Sequence, residues 1–256
     1  MDRLAFNASA AITESRTAIH MTNNELANVS TPGFKRSFEA AMAGIKAEGA
    51  GFASRVQPQA LSVDNIIMTP GTMMATGQDL DIAMNDAAVL GVTGADGTLA
   101  FTRRGDLRLS DKGVLEIGNG YIVRGQSGGP ITIPPGFKTT INSDGSVYAQ
   151  NPTQTGPTAS VLIDRLLLRD SSEVKLERRV DSLFKVAGKE LGADLPASTG
   201  KNLPSVSPKM LEGSNVNALS VMVRLMDLSR TFEQNVNVIK ESKNADESGA
   251  TMMRNS

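Results

Sequence analysis

The sequence predicts an α+β protein: N- and C-terminal helices that pair into a coiled-coil-like leg, with a central antiparallel β domain of sandwich or barrel type between them. Three observations carry this. Apolar residues recur at spacings of three and four near both ends, short apolar runs alternate with turn dipeptides in the middle, and two Gly- and Pro-bearing stretches separate these regimes.

The first helix is read from Leu4, Ala8, Ala11, Ile12, Ala18, Ile19, Leu26 and Val29, one narrow face half filled by small side chains. It ends at Thr31-Pro32-Gly33. Thr31 precedes proline and is pushed out of the helical region, Pro32 fixes φ, and Gly33 can take the positive φ of a type II turn. Residues 1–36 thus form an N-terminal element. Residues 37–70, with Gly44, Gly49, Gly51 and Pro58, read as a connector.

Residues 71–187 are the β domain. Strands are expected over 80–84, 89–92, 99–103, 107–109, 114–117, 121–123, 131–133 and 161–168. Asp96-Gly97, Lys112-Gly113, Asn119-Gly120 and Asp144-Gly145 stand between runs, and glycine there tolerates the positive φ that closes a hairpin. A return connector follows over 188–211, carrying Pro196, Pro204 and Pro208. The C-terminal element, 212–256, holds a second helix with Leu219, Met222, Leu225, Met226, Ser229, Phe232, Val236 and Ile239 in near-heptad register and Ser214 or Asn215 as N-cap. Spacing alone leaves open whether the two helices pair only with each other or both enter a multi-chain bundle.

Composition excludes several functions. With 26 basic and 27 acidic residues and a net charge of −1, the chain lacks the basic excess of a nucleic-acid binder. It has no cysteine, hence no disulfide and no thiolate metal site. No window reaches the roughly 20 apolar residues of a membrane span, and the charged first 30 residues do not read as a Sec-type leader.

His20, the one histidine, has no second ligand type beside it. Asp79 and Asp81 share one strand face, as a carboxylate dyad would, but the flanking sequence supplies neither pocket nor polarising partner. GVTGADG (91–97) lacks the Lys-Ser/Thr of a P-loop and reads as hairpin punctuation. No nucleophile elbow is present. The sequence therefore assigns no catalytic, cofactor-binding or metal-ligating residue. A structural role leads, with a β-rich binding module and a carboxylate-dyad hydrolase as the alternatives.

Three segments resemble one family. LANVSTPGFKR (26–36) is similar to the signature that closes the first helix of the bacterial flagellar rod and hook proteins. EGSNVNALSVMVRLMDLSRTFEQNVNVIK (212–240) resembles their C-terminal signature, and TGQDLDIAM with FTRRGDLRLSDKGVLEIGNGYIVRG resembles their β domain. The Met-Asp-Arg start and the proline at position 32 look most like the proximal-rod branch, with the distal-rod branch as runner-up. One departure stands out: where the family continues Gly-x-Gly-Phe-Phe after LDIAM, this chain has Asn85-Asp86-Ala87-Ala88-Val89-Leu90.

The resemblance implies a non-enzymatic rod subunit that leaves the cytoplasm unfolded through the flagellar type III export apparatus. Outside, it would polymerise with copies of itself and other proximal and distal rod proteins into the drive shaft that crosses the periplasm. It implies no cofactor, no nucleic acid and no membrane insertion. Subunit contacts are expected at Leu4, Ile12, Ile19, Asn24, Leu26, Asn28, Pro32, Gly33 and Phe34, and at Ser214, Asn215, Val216, Met222, Leu225, Met226, Arg230, Phe232, Glu233, Val236 and Ile239. With so little apolar area, the terminal helices are expected to order only when neighbours supply the missing faces.

Overall fold

A computed structural model describes residues 2–38, 43–46, 56–59, 65–152, 160–196 and 203–254. The remainder of the two expected connectors lies outside the described residues. The chain divides into two compact units, one comprising Met1–Asn28, Glu39–Val63 and Asn217–Ser256, the other Val29–Phe38 and Asp64–Val216.

In the first unit, helix α1 (Asp2–Ala27) packs against helix α2 (Ala218–Arg254), and an antiparallel ribbon pairs Ala43–Lys46 with Val56–Gln59. The covered side of α1 carries Ala8, Ser15, Ala18, Thr22 and Glu25. On α2 the covered or half-covered positions include Val221, Leu225, Leu228, Phe232, Asn235, Ile239 and Ser242. Apart from the seven-residue step between Ala8 and Ser15, both sets step by three and four, but only Ala8, Ala18 and Val221 are buried apolar side chains among the described residues of this unit. The helix N-cap is Asn217 rather than Ser214 or Asn215: its Oδ1 accepts the Ser220 N–H at 3.1 Å.

The second unit is an antiparallel β structure. Among the described residues its largest sheet has ten strands, in spatial order Ser37–Phe38, Asn65–Ile66, Leu176–Arg178, Phe184–Val186, Leu99–Thr102, Ala88–Thr93, Ile122–Val123, Leu115–Ile117 and Leu107–Leu109, with Leu168–Asp170 also pairing Ala88–Thr93. Three further strands, Lys138–Ile141, Ser146–Gln150 and Val161–Arg165, form a second sheet. Ile141, Val147 and Ala149 of the second sheet share one core with Leu90, Val92, Leu115 and Ile117 of the first. Val89, Phe101, Leu176, Phe184 and Val186 form another apolar cluster. Because the two strand neighbours Val89 and Leu90 enter different clusters, the central strand is buried on both faces. This is why Ala88–Thr93 reads as an unbroken apolar run rather than an alternation.

The glycines of all four turn dipeptides have positive φ, between 75° and 90°. Residues 131–133, expected as a strand, make only one isolated bridge, Val114 to Thr132, although Ile131 and Ile133 are buried. Pro130, Pro134 and Pro135 remove the amide donors that would extend the ladder. The single strand expected over 161–168 is two strands in different sheets, the chain turning at Leu166.

The departure after Met84 leaves the fold intact. Asp86 takes φ 45°, a conformation that Asp tolerates better than most residues, and Ala88 N–H closes the turn on Asn85 O at 2.9 Å. The Asn85 side chain accepts from Ser207 Oγ at 2.8 Å and donates to Ser205 Oγ at 3.0 Å. Val89 and Leu90 follow, both fully buried.

Since Leu115 is completely enclosed by both sheets' core, Leu115→Ala should destabilise the β unit by about 2–5 kcal/mol. Chemical denaturation followed by far-UV circular dichroism measures this.

Candidate functional site

The most tightly built site lies inside the β unit, where two sequence-distant segments meet. Thr31-Pro32-Gly33-Phe34 forms a turn in which Thr31 O accepts the Phe34 N–H at 3.3 Å, with Gly33 at φ 68° in the third position. The Gly33 N–H then donates to Glu212 O at 2.7 Å and the Asn215 N–H to Phe34 O at 3.3 Å. A Cβ on residue 33 would lie 2.1 Å from Arg103 O, so the close approach needs glycine as much as the positive φ does.

At the centre Glu212 sits with Lys35 and Arg103, all three side chains at 0% exposure. Glu212 Oε1 accepts from Lys35 Nζ at 2.6 Å and from the Gly71 N–H at 3.0 Å. Oε2 accepts from Arg103 Nε at 2.9 Å and Nη2 at 2.7 Å, a bidentate fork. Arg103 Nη2 also donates to Met84 O at 2.9 Å, and Nη1 donates to Asp86 O at 2.6 Å and Ala88 O at 2.9 Å. All five guanidinium N–H groups are thereby used. Lys35 Nζ also donates to Thr69 O at 2.7 Å.

Burial pushes the Glu212 carboxyl up, but the Arg103 charge and the hydrogen bonds from Lys35 and Gly71 outweigh it and hold the group below its ordinary value. Lys35 is lowered as well. Burial is the main cause, opposed by its hydrogen bond and attraction to Glu212, while Arg103 adds repulsion. Around this cluster Asn215 Oδ1 accepts the Arg36 N–H at 2.7 Å, and its amide donates to Ile67 O at 3.0 Å. The Arg178 guanidinium lies over the Phe34 ring at 4.4 Å and donates to Lys35 O.

The structure scatters the residues expected at subunit contacts. Gly33, Phe34 and Val216 are buried within their own unit, and Pro32, Ser214 and Asn215 are half-buried there. Phe34 is thus covered by its own chain rather than left to anchor a neighbour. On the helices Leu4, Asn24, Met222, Met226, Arg230 and Glu233 are exposed, while Ile12, Ile19, Leu26, Asn28, Leu225, Phe232, Val236 and Ile239 are half-buried. Asn28 donates through its side chain to Asn24 O at 2.8 Å, within the same helix end.

Sequence reading missed Glu212 and Arg103. Both lie inside the quoted signatures, but their partners are 109 and 177 residues away, so no local pattern marks them as buried.

Asp79, one member of the considered dyad, is half-buried between Lys209 at 2.9 Å and Lys138 at 3.4 Å. The Lys209 hydrogen bond is the main cause holding its carboxyl below the ordinary value, which suits an ion pair and not a proton donor. An open groove of about 360 Å³ beside Asp144, Arg165, Arg169 and Ser205 is similarly self-satisfied. Ser146 hydrogen bonds lower the Asp144 carboxyl, and Arg169 is forked onto Asp194 at 3.0 and 2.8 Å.

Removing the Glu212 carboxylate strands two buried cations, so Glu212→Ala should cost about 3–5 kcal/mol, whereas Asp79→Asn, at a solvent-screened pair, should leave the unfolding midpoint nearly unchanged. Paired urea titrations check the contrast. Gly33→Ala should cost at least about 1–2 kcal/mol through backbone conformation alone.

The acid side follows from linkage. A depressed carboxylate contributes stability that is present above its unfolded value, 4.5 for Glu212, and lost as pH falls through the folded value. Asp96, lowered to about 2 chiefly by hydrogen bonds from Thr98, acts in the same direction. Lys35, lowered from 10.5, binds its proton less well when folded, so its contribution to stability grows as pH approaches 10.5. Melting temperature should therefore fall on acidification below about pH 4.5, less steeply in Glu212→Gln.

Comparison with known proteins agrees with the signatures. Residues 207–252 match the model for the flagellar basal body rod FlgEFG protein C-terminal region, and residues 83–149 match that for the flagellar hook protein FlgE/F/G D1 domain. The chain is 33% identical over 239 residues to the flagellar basal-body rod protein FlgF of Escherichia coli, covering 93% of each chain. It is 34% identical over 242 residues to FlgF of Salmonella typhimurium, again with 93% of each covered. The flagellar basal-body rod protein FlgG of Bacillus subtilis is 27% identical over 262 residues, covering 94% of this chain and 96% of that one. The buried Lys35–Glu212–Arg103 cluster thus joins the matched C-terminal and D1 segments in a chain that belongs to the flagellar basal-body rod protein family, a family of structural proteins and not enzymes.

Proposed function

We propose that this chain is a proximal-rod subunit that polymerises through its terminal helices, with copies of itself and neighbouring rod proteins, into the shaft that carries motor torque across the periplasm. The observation that carries the reading is the unused apolar surface of the helices. Leu219, Met222, Val223 and Met226 are 47–73% exposed on α2, and Leu4 is 53% exposed on α1, although each helix already has its partner. A helix pair with large apolar side chains left outside is built to receive further helices.

The 3–4 spacing of the covered positions on both helices supports a coiled-coil-like leg. The small apolar area buried between them supports helices that order fully only on assembly. The same scarcity of locked structure suits delivery of an unfolded chain through the flagellar type III export apparatus. The 33–34% identity to the FlgF of Escherichia coli and Salmonella typhimurium, against 26–30% to several FlgG proteins, supports the proximal over the distal rod.

Met222→Glu with Met226→Glu should leave monomer stability within about 0.5 kcal/mol, because both side chains are exposed, yet abolish rod assembly and swimming. Motility in soft agar and basal-body preparations from the complemented deletion strain give the answer, and normal motility would overturn the reading. Limited proteolysis of the purified chain should cut within residues 2–27 and 218–254 well before the β unit.

A further inference from the structure

The last segment of the β unit completes its interior. Val206 is 1% exposed within the main core cluster, and Val206–Pro208 pairs with Ile82–Met84 while Met210–Glu212 pairs with Met73–Ala75. Glu212 supplies the only carboxylate among the described residues that neutralises the buried Lys35 and Arg103. Take residues 206–216 away and three deficits coincide. The core is open at Val206, two strands lose their ladders, and two cations remain in a dry site facing only carbonyl dipoles.

We infer that the segment 206–216 acts as a closing lock, so that the ten-stranded sheet does not form ahead of it and the chain stays open until these residues have been made or delivered. Arg103 is the sensing element. Its guanidinium bonds three carbonyls from the turn that starts the central strand, at Met84, Asp86 and Ala88. Seating that strand therefore buries the charge, and burying the charge requires Glu212 from 109 residues further on. Loop closures of this length are entropically costly and slow, which places the lock in the rate-limiting step rather than after it. The ordering follows from the β unit alone and holds whether or not the chain is a proximal-rod subunit.

Pulse-labelled hydrogen exchange during refolding of the full chain tests the lock. Amides of the central sheet, Gly91, Leu115 and Arg124, should gain protection in the same phase as the closing amides Gly33, Lys209 and Gly213. Protection of the first set in an earlier phase would overturn the inference. In the same full chain, Glu212→Gln should slow refolding by about tenfold, with a smaller change in unfolding. An unchanged refolding rate with faster unfolding alone would also overturn it. Should that variant fail to fold, labelling of the unaltered chain decides the question by itself.

Discussion

One buried carboxylate ties together segments from both ends and the middle of the β unit. Glu212 answers two cations and a backbone amide at once, and its own backbone carbonyl takes the Gly33 N–H. An ion cluster of this kind contributes little net stability compared with an apolar replacement of equal volume, because desolvation offsets most of the attraction. What it contributes is intolerance of alternatives. No register of the 206–216 segment other than the observed one puts a carboxylate between Lys35 and Arg103, and any slip leaves charge buried without a partner.

This constraint explains why the entry and exit of the chain through the β unit lie side by side. The unit begins at Val29 and ends at Val216, and within it the turn at Gly33 is hydrogen-bonded directly to Glu212, and Phe34 to Asn215. For a structural subunit such an arrangement ties two chain segments into one rigid joint. The two segments are linked through Lys35–Glu212 and through the Asn215 side chain, which bonds Ile67, Thr69 and the Arg36 amide. Phe34, held under Arg178, is part of the joint and not of a surface.

The helices obey a different rule. Their covered sides are lined by small and polar side chains such as Ala8, Ser15, Ala18, Thr22 and Ser242, while several of the largest apolar ones remain outside. Small residues let helix backbones approach closely but exclude little water. The pair therefore gains little stability from apolar burial between its helices.

Much of the architecture was legible in the residues themselves because it depends on local chemistry. Periodicity marked both helices, paired turn residues marked the hairpins, and Thr31-Pro32-Gly33 marked a sharp exit, since proline and glycine act on their own dihedrals wherever they stand. Strands such as Lys138–Ile141, Leu176–Arg178 and Phe184–Val186 were not legible. They are short or Thr-rich, and only a neighbouring strand and a shared core give them their conformation. Whether Met222 or Val221 faces the partner helix was likewise beyond the pattern, because adjacent apolar positions offer two stripes and packing selects one. Tertiary structure alone decided the roles of Lys35, Arg103 and Glu212: a charged residue reads as solvent-facing from sequence, and it becomes a core residue only when segments more than a hundred positions apart bring its counter-charges to it.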